Sequence, residues 1–249
     1  MWLLSCVVQG QTIEDGIMMG KGLLCGGYMY THDSWTEYWE GTLKRTNGNI
    51  GTITTQSHQI FANYGIRNDL NVIAQIPHIS TNASQGVLAG MSGFQDATVA
   101  VKYRFLNTPF TETGSFRAIA VVQGSAPMTD YTPDFLPLSI GLASRRIGTR
   151  LTVHFRANRG WFINGTSAYT WRDGATLDRP YFYTDGRLTF SDRVKMPGLV
   201  DYTLSSGYIR GELVLSGSFS QQFTQGGGDI RRQDTPFVSN RMDFSRAGA

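Results

Sequence analysis

The chain reads as all-β, an antiparallel transmembrane β-barrel of about ten strands, and three observations predict this fold class. Runs of about ten residues with period two recur along it, while helical periodicity is nearly absent after residue 20. The links between runs alternate between tight and long, as they do between strands of an outer-membrane barrel. Charged residues make up 16% of the 249, well under the roughly 25% of soluble domains, while aromatics reach 12% and glycines number 29. No stretch approaches the ~18 consecutive apolar residues of a membrane-spanning helix. A net charge of +3 is too weak to point to nucleic acid.

The first element is "MWLLSCVVQGQTIEDG", where the apolar run Trp2–Val8 gives way to small and polar residues. Residues 1–10 read as the remnant of a secretory signal with cleavage near Gln11, and 11–22 as a periplasmic N-terminal segment. "LLSC" loosely matches a lipid-attachment site at Cys6, and an unprocessed N-terminus is the plain alternative. The barrel wall is then 23–249, with strand segments near 23–41, 50–66, 69–80, 95–107, 115–127, 137–156, 158–172, 198–209, 211–224 and 238 to the end. Ten is an even number, as bacterial barrels require. "NRMDFSRAGA" begins a last strand without the usual terminal aromatic, so the wall reads as clipped, and a further hairpin would make twelve.

Two of these strands carry the face assignment. In "GFQDATVAVKYRF" (93–105), Ala97, Val99, Val101, Tyr103 and Phe105 share one parity, and Asp96, Thr98, Ala100, Lys102 and Arg104 share the other. Along 158–172, Trp161, Ile163, Gly165, Ser167, Tyr169 and Trp171 fall on one side. From Trp161 to Trp171 is about 33 Å along a strand, or about 25 Å after a tilt near 40°, the height between aromatic girdles. Tyr103, Phe105, Trp161, Tyr169 and Trp171 are therefore the girdle candidates. Periodicity does not tell inside from outside, so a soluble barrel with the faces reversed stays open at this point.

The links sort by length. "GIRND" (65–69), "ANRG" (157–160) and "IRGE" (209–212) are tight and "NTPFTETG" (107–114) is modest, whereas 81–93, 129–137, 173–197 and 224–240 are long. With a periplasmic N-terminus, every long loop comes out extracellular. Within 173–197, "TDGR" reads as a hairpin turning at Asp185-Gly186 that would present Tyr181, Phe182, Tyr183 and Phe190 to a hydrophobic solute.

The lumen candidates are Asp96, Lys102, Arg104, Arg117, Gln123, Asp201 and Glu212, because a charge on the lipid face would cost about 2–4 kcal/mol at the midplane. Chemistry has little footing. His32 and His58 with Asp33 and Ser57 form the nearest thing to a hydrolase constellation, no GxSxG elbow is present, and the reading is not an enzyme. Two cysteines and four scattered histidines give no metal-ligand spacing, and no cofactor is expected. "GGGDIRRQDTPF" (226–237) lacks the Lys-Ser/Thr and the helix of a phosphate-binding loop.

"YGIRNDLNVIAQIPHIS" (64–80) followed by "GFQDATVAVKYRF" (93–105) resembles the outer-membrane barrel family named for the meta-pathway of phenol degradation, itself related in outline to long-chain fatty acid transporters. "GWFINGTSAYTWR" (160–172) joins the likeness loosely. The resemblance implies an outer-membrane channel for small hydrophobic or aromatic compounds, working by passive diffusion, and it transfers no catalytic residues. Outer-membrane lipid is the expected surrounding and such a solute the expected partner. A structural or adhesive barrel with a closed lumen is the alternative.

Overall fold

The computed structural model describes residues 12–110, 113–211, 213–231, 234 and 241–248. They form an all-β protein in which one antiparallel sheet curls into a half-barrel of 10 strands. The wall strands are β1 (Leu24–Trp35), β2 (Ile53–Arg67), β3 (Leu70–Ala83), β4 (Asp96–Phe110), β5 (Gly114–Pro127), β6 (Arg146–Ala157), β7 (Trp161–Arg172), β8 (Gly198–Arg210), β9 (Leu213–Gln225) and β10 (Phe244–Gly248). Each pairs with the next in chain order, so the sheet is a simple meander, and the short strand Ser92–Phe94 adds to β3. Most wall strands run 12 to 15 residues, well beyond the ~5–6 usual in globular sheets.

At one end, β2 passes to β3, β4 to β5, β6 to β7 and β8 to β9 within three residues. At the other lie the long links 36–52, 84–95, 128–145, 173–197 and 226–243. Parity has a structural consequence, clearest in β4 and β7. Val99, Val101 and Tyr103 are exposed on the convex face, and Asp96, Thr98, Ala100 and Lys102 are buried on the concave one. Trp161 and Trp171 are 62% and 50% exposed. The alternation is the reverse of a soluble barrel, with apolar side chains outward and polar ones inward.

Three segments differ from the sequence expectation. The run expected over 137–156 enters the sheet only at Arg146. Pro133 and Pro137 lack the N–H a central strand must donate, so the preceding stretch folds back, with a 3-10 turn at Pro133–Phe135 and Leu138 and Ile140 buried. The first segment, expected to reach 41, stops at Trp35, because Glu37–Glu40 pairs instead with Leu43–Thr46 around Gly41, whose φ is +58. The last strand is shortened to Phe244–Gly248.

Residues 12–20, part of the segment 11–22 expected to be periplasmic, run inside the concavity, where Ile13 and Met19 are buried. Ile13 and the partly buried Met18 cover an apolar spot made by Ile73, Ala100, Ile119 and Val121. Among the described residues no second sheet layer backs the wall, so this segment supplies its local core. The signal remnant, its cleavage point and Cys6 lie outside the described residues.

Candidate functional site

The concave face is the candidate site, and strand register builds it row by row. Inward residues from successive strands meet side by side: Thr152 and Thr166 share a hydroxyl hydrogen bond of 3.0 Å, and His154 Nδ1 meets Asn164 Oδ1. Asn164 Nδ2 donates onward to Ser205 Oγ at 3.1 Å. Three strands are thus stitched by polar pairs across their inner face, the arrangement that fixes register in a sheet without a hydrophobic core on that side.

The N-terminal segment docks on this surface through Lys102, with Arg150 reaching Glu14 at 3.3 Å beside it. Lys102 is fully buried, and its Nζ donates to the Thr12 carbonyl at 2.8 Å and to Asp15 Oδ1 at 2.9 Å. Asp15 in turn accepts from the backbone N–H groups of Thr12 and, at 2.8 Å, Ile17, so one carboxylate both shapes the turn and receives the lysine. Gly16 lies so close to the wall that a Cβ there would come within 2.5 Å of His154 Nδ1. At the short-turn end, Gly22 N–H donates to the Gly65 carbonyl and Gly65 N–H to that of Leu23, leading the segment directly into β1. A Cβ on Gly65 would strike the Gly20 carbonyl, so the crossing requires glycine.

Beside the segment lies a cavity of about 680 Å³, bounded by residues of the segment and by β6 to β10. Its lining mixes Arg150, Arg246, Glu14 and Asp201 with Asn164, Gln222 and several serines, and Phe162 and Phe244 give it two apolar faces.

The long-link end is closed differently. Tyr131 donates to Asp96 Oδ1 at 2.5 Å and accepts from Ala143 N–H at 3.2 Å, and Arg146 holds the other oxygen of Asp96 at 2.5 Å. Burial pushes the Tyr131 hydroxyl pKa upward, and the Asp96 carboxylate it donates to pushes the same way. Asp134 accepts from Arg179 Nε at 2.6 Å and from Asp178 N–H at 2.9 Å, joining link 128–145 to link 173–197. Ala175, Leu177, Phe182, Val194 and Met196 pack beneath them, with Leu136 and Leu142 at the edge.

Of the lumen candidates, Asp96 and Lys102 are buried on the concave side and Arg104, Arg117, Gln123 and Asp201 are half-buried; Glu212 lies outside the described residues. All five girdle candidates, Tyr103, Phe105, Trp161, Tyr169 and Trp171, are exposed. The loop hairpin forms as Phe182–Thr184 and Arg187–Thr189 around Asp185 and Gly186, both at positive φ. Tyr181, Tyr183 and Phe190 are exposed. Phe182 is a correction: expected to face a solute, it is only 7% exposed, because alternation along the three-residue strand turns it into the loop cluster. The histidine constellation does not assemble as a triad. His58 stands opposite Tyr30 and meets the Tyr28 hydroxyl at 2.5 Å, while His32 pairs in register with Gln56.

Sequence reasoning passed over Arg146, Arg150, His154 and Arg156, which share the inward parity of β6. The signal was the alternation in "RIGTRLTVHFRA", the same one that identified Lys102 and Arg104 on β4. It passed over Asp15 as well, for which a local pattern gives no sign of a partner 87 positions away. No family model matches the chain, and no curated protein matches it in sequence.

Proposed function

We propose that the chain forms an outer-membrane β-barrel wall through which small hydrophobic or aromatic compounds pass by diffusion. The observation that carries this reading is the two-faced wall: an apolar convex face edged by Trp161 and Trp171, with the charged parity turned inward. Lipid accepts the first face and excludes the second. The resemblance of 64–80 and 93–105 to phenol meta-pathway barrels supports the same placement. Long links on one side and tight turns on the other support an orientation with the links extracellular. Exposed Tyr181, Tyr183 and Phe190 give a solute an aromatic surface to meet first.

The test is planar-bilayer conductance of the refolded full chain, with and without an aromatic solute, after the native protein has been followed through carbonate-washed membranes. Retention in the membrane and solute-dependent current support the proposal, and a protein extracted by carbonate overturns it. A second reading, a closed structural or adhesive barrel, is favoured by the N-terminal segment that fills part of the concavity. It predicts membrane retention with no current.

A further inference from the structure

The inward parity of β6 repeats a cation. Arg146, Arg150 and Arg156 lie along it, and the neighbouring strands add Arg117, in register with His154, and Arg172, in register with Arg146. From Arg146 to Arg156 the column spans about 33 Å of strand, so it follows the passage from one end to the other.

Acidic partners offset it only in part. Asp96 takes Arg146, and Glu14 stands 3.3 Å from Arg150 while itself largely exposed. Among the described residues no ion pair reaches Arg117, Arg156 or Arg172. The Nε atoms of Arg117, Arg146 and Arg150 are buried without an acceptor. Like charges on adjacent strands repel and orphaned buried donors destabilise, so this face carries a cost that a visiting anion relieves. Guanidinium groups match the paired oxygens of a carboxylate.

The cavity narrows the class of anion. Arg150 and Arg246 reach its lining alongside Phe162 and Phe244, and the Arg246 guanidinium sits 5.5 Å over the Phe244 ring. Of the carboxylates in the same lining, Glu14 is engaged by Arg150 and Asp15 by Lys102, which leaves Asp201 to repel a doubly charged group more than a singly charged one. We infer that the concave face is an anion-selecting passage whose cavity binds small monocarboxylates with an apolar or aromatic body. This deepens the channel reading and rests on it for transport, though the binding site can be tested separately.

Two measurements on the refolded full chain decide it. Reversal potentials under a KCl gradient are expected to show anion preference, with benzoate permeant and benzyl alcohol without effect on the potential. Arg117→Gln and Arg150→Gln are each expected to lower the anion-to-cation permeability ratio severalfold. Arg150→Lys keeps most of that ratio, and Arg187→Gln, on the exposed loop hairpin, leaves it unchanged. Calorimetric titration with sodium benzoate is expected to give saturable binding, stronger than for acetate and weakened about tenfold by Arg150→Gln. Cation preference, or a ratio unmoved by both glutamine variants, overturns the selectivity. A barrel that carries no current sinks the channel reading while leaving the site to calorimetry, where absence of benzoate binding overturns the site as well.

Discussion

The two ends of the wall are filled by different physics. At the long-link end, loops bring their own apolar cluster around Phe182 and Val194 and lock together through Asp134 and Arg179. From the short-turn end, a single chain segment reaches inward and is held by Ile13 against the wall and by one buried lysine. The first is a miniature core that shares its stability among many contacts, and the second is a latch. The comparison teaches that in a sheet with lipid-type patterning outside and polar residues inside, apolar burial has to be found in the loops or imported by a terminus.

The sharpest way to break the comparison is Phe182→Ala. It should remove about 3–4 kcal/mol of local stability and speed tryptic cleavage at Arg193, leaving cleavage at Lys21 unchanged. Equal acceleration at Lys21 would mean that the two ends are not independent. Lys102→Met is next, at about 2–3 kcal/mol. That falls short of a fully buried pair because Asp15 retains some solvent. Here the selectivity reverses, with Lys21 becoming labile and Arg193 staying protected; chemical denaturation in detergent gives the magnitude.

Tyr131→Phe should cost about 1 kcal/mol and loosen link 128–145 alone, seen as faster amide exchange at Ala143. The smallest effect is one of pH. The folded Tyr131 hydroxyl titrates above its unfolded value, so its contribution to holding the links is complete below about pH 10. It is lost as the pH climbs through the raised folded value. Ultraviolet titration should therefore show a late transition that is absent in Tyr131→Phe, and an early transition for Tyr131 would contradict the buried geometry.

Much of the wall was legible because period two is a local property: Val99 against Lys102, or Trp161 and Trp171 on one side, requires no knowledge of any other strand. The turn at Asp185-Gly186 was legible for the same reason, since two adjacent residues accept positive φ. What escaped is non-local or depends on a competing rule. Phe182 was misassigned because a three-residue strand is too short for its neighbours to reveal which side is inward. Residues 137–145 carry a strand-like apolar run that prolines exclude from the ladder. The place of residues 12–20 follows from Lys102 and Ile73, far along the chain, and a polar turn such as "TIEDG" has no periodicity with which to announce them.

The glycine crossing at Gly20 and Gly65 gives the N-terminal segment a mechanical role. Its tail is zipped into the sheet as the lead-in to β1, one of the two wall strands that pair on one side only among the described residues. Pulling the segment out of the concavity therefore loads the seam of the wall first, like a drawstring threaded through the hem it closes. Any force that empties the interior is applied at an edge of the sheet, which ties the filling of the barrel to the integrity of its margin.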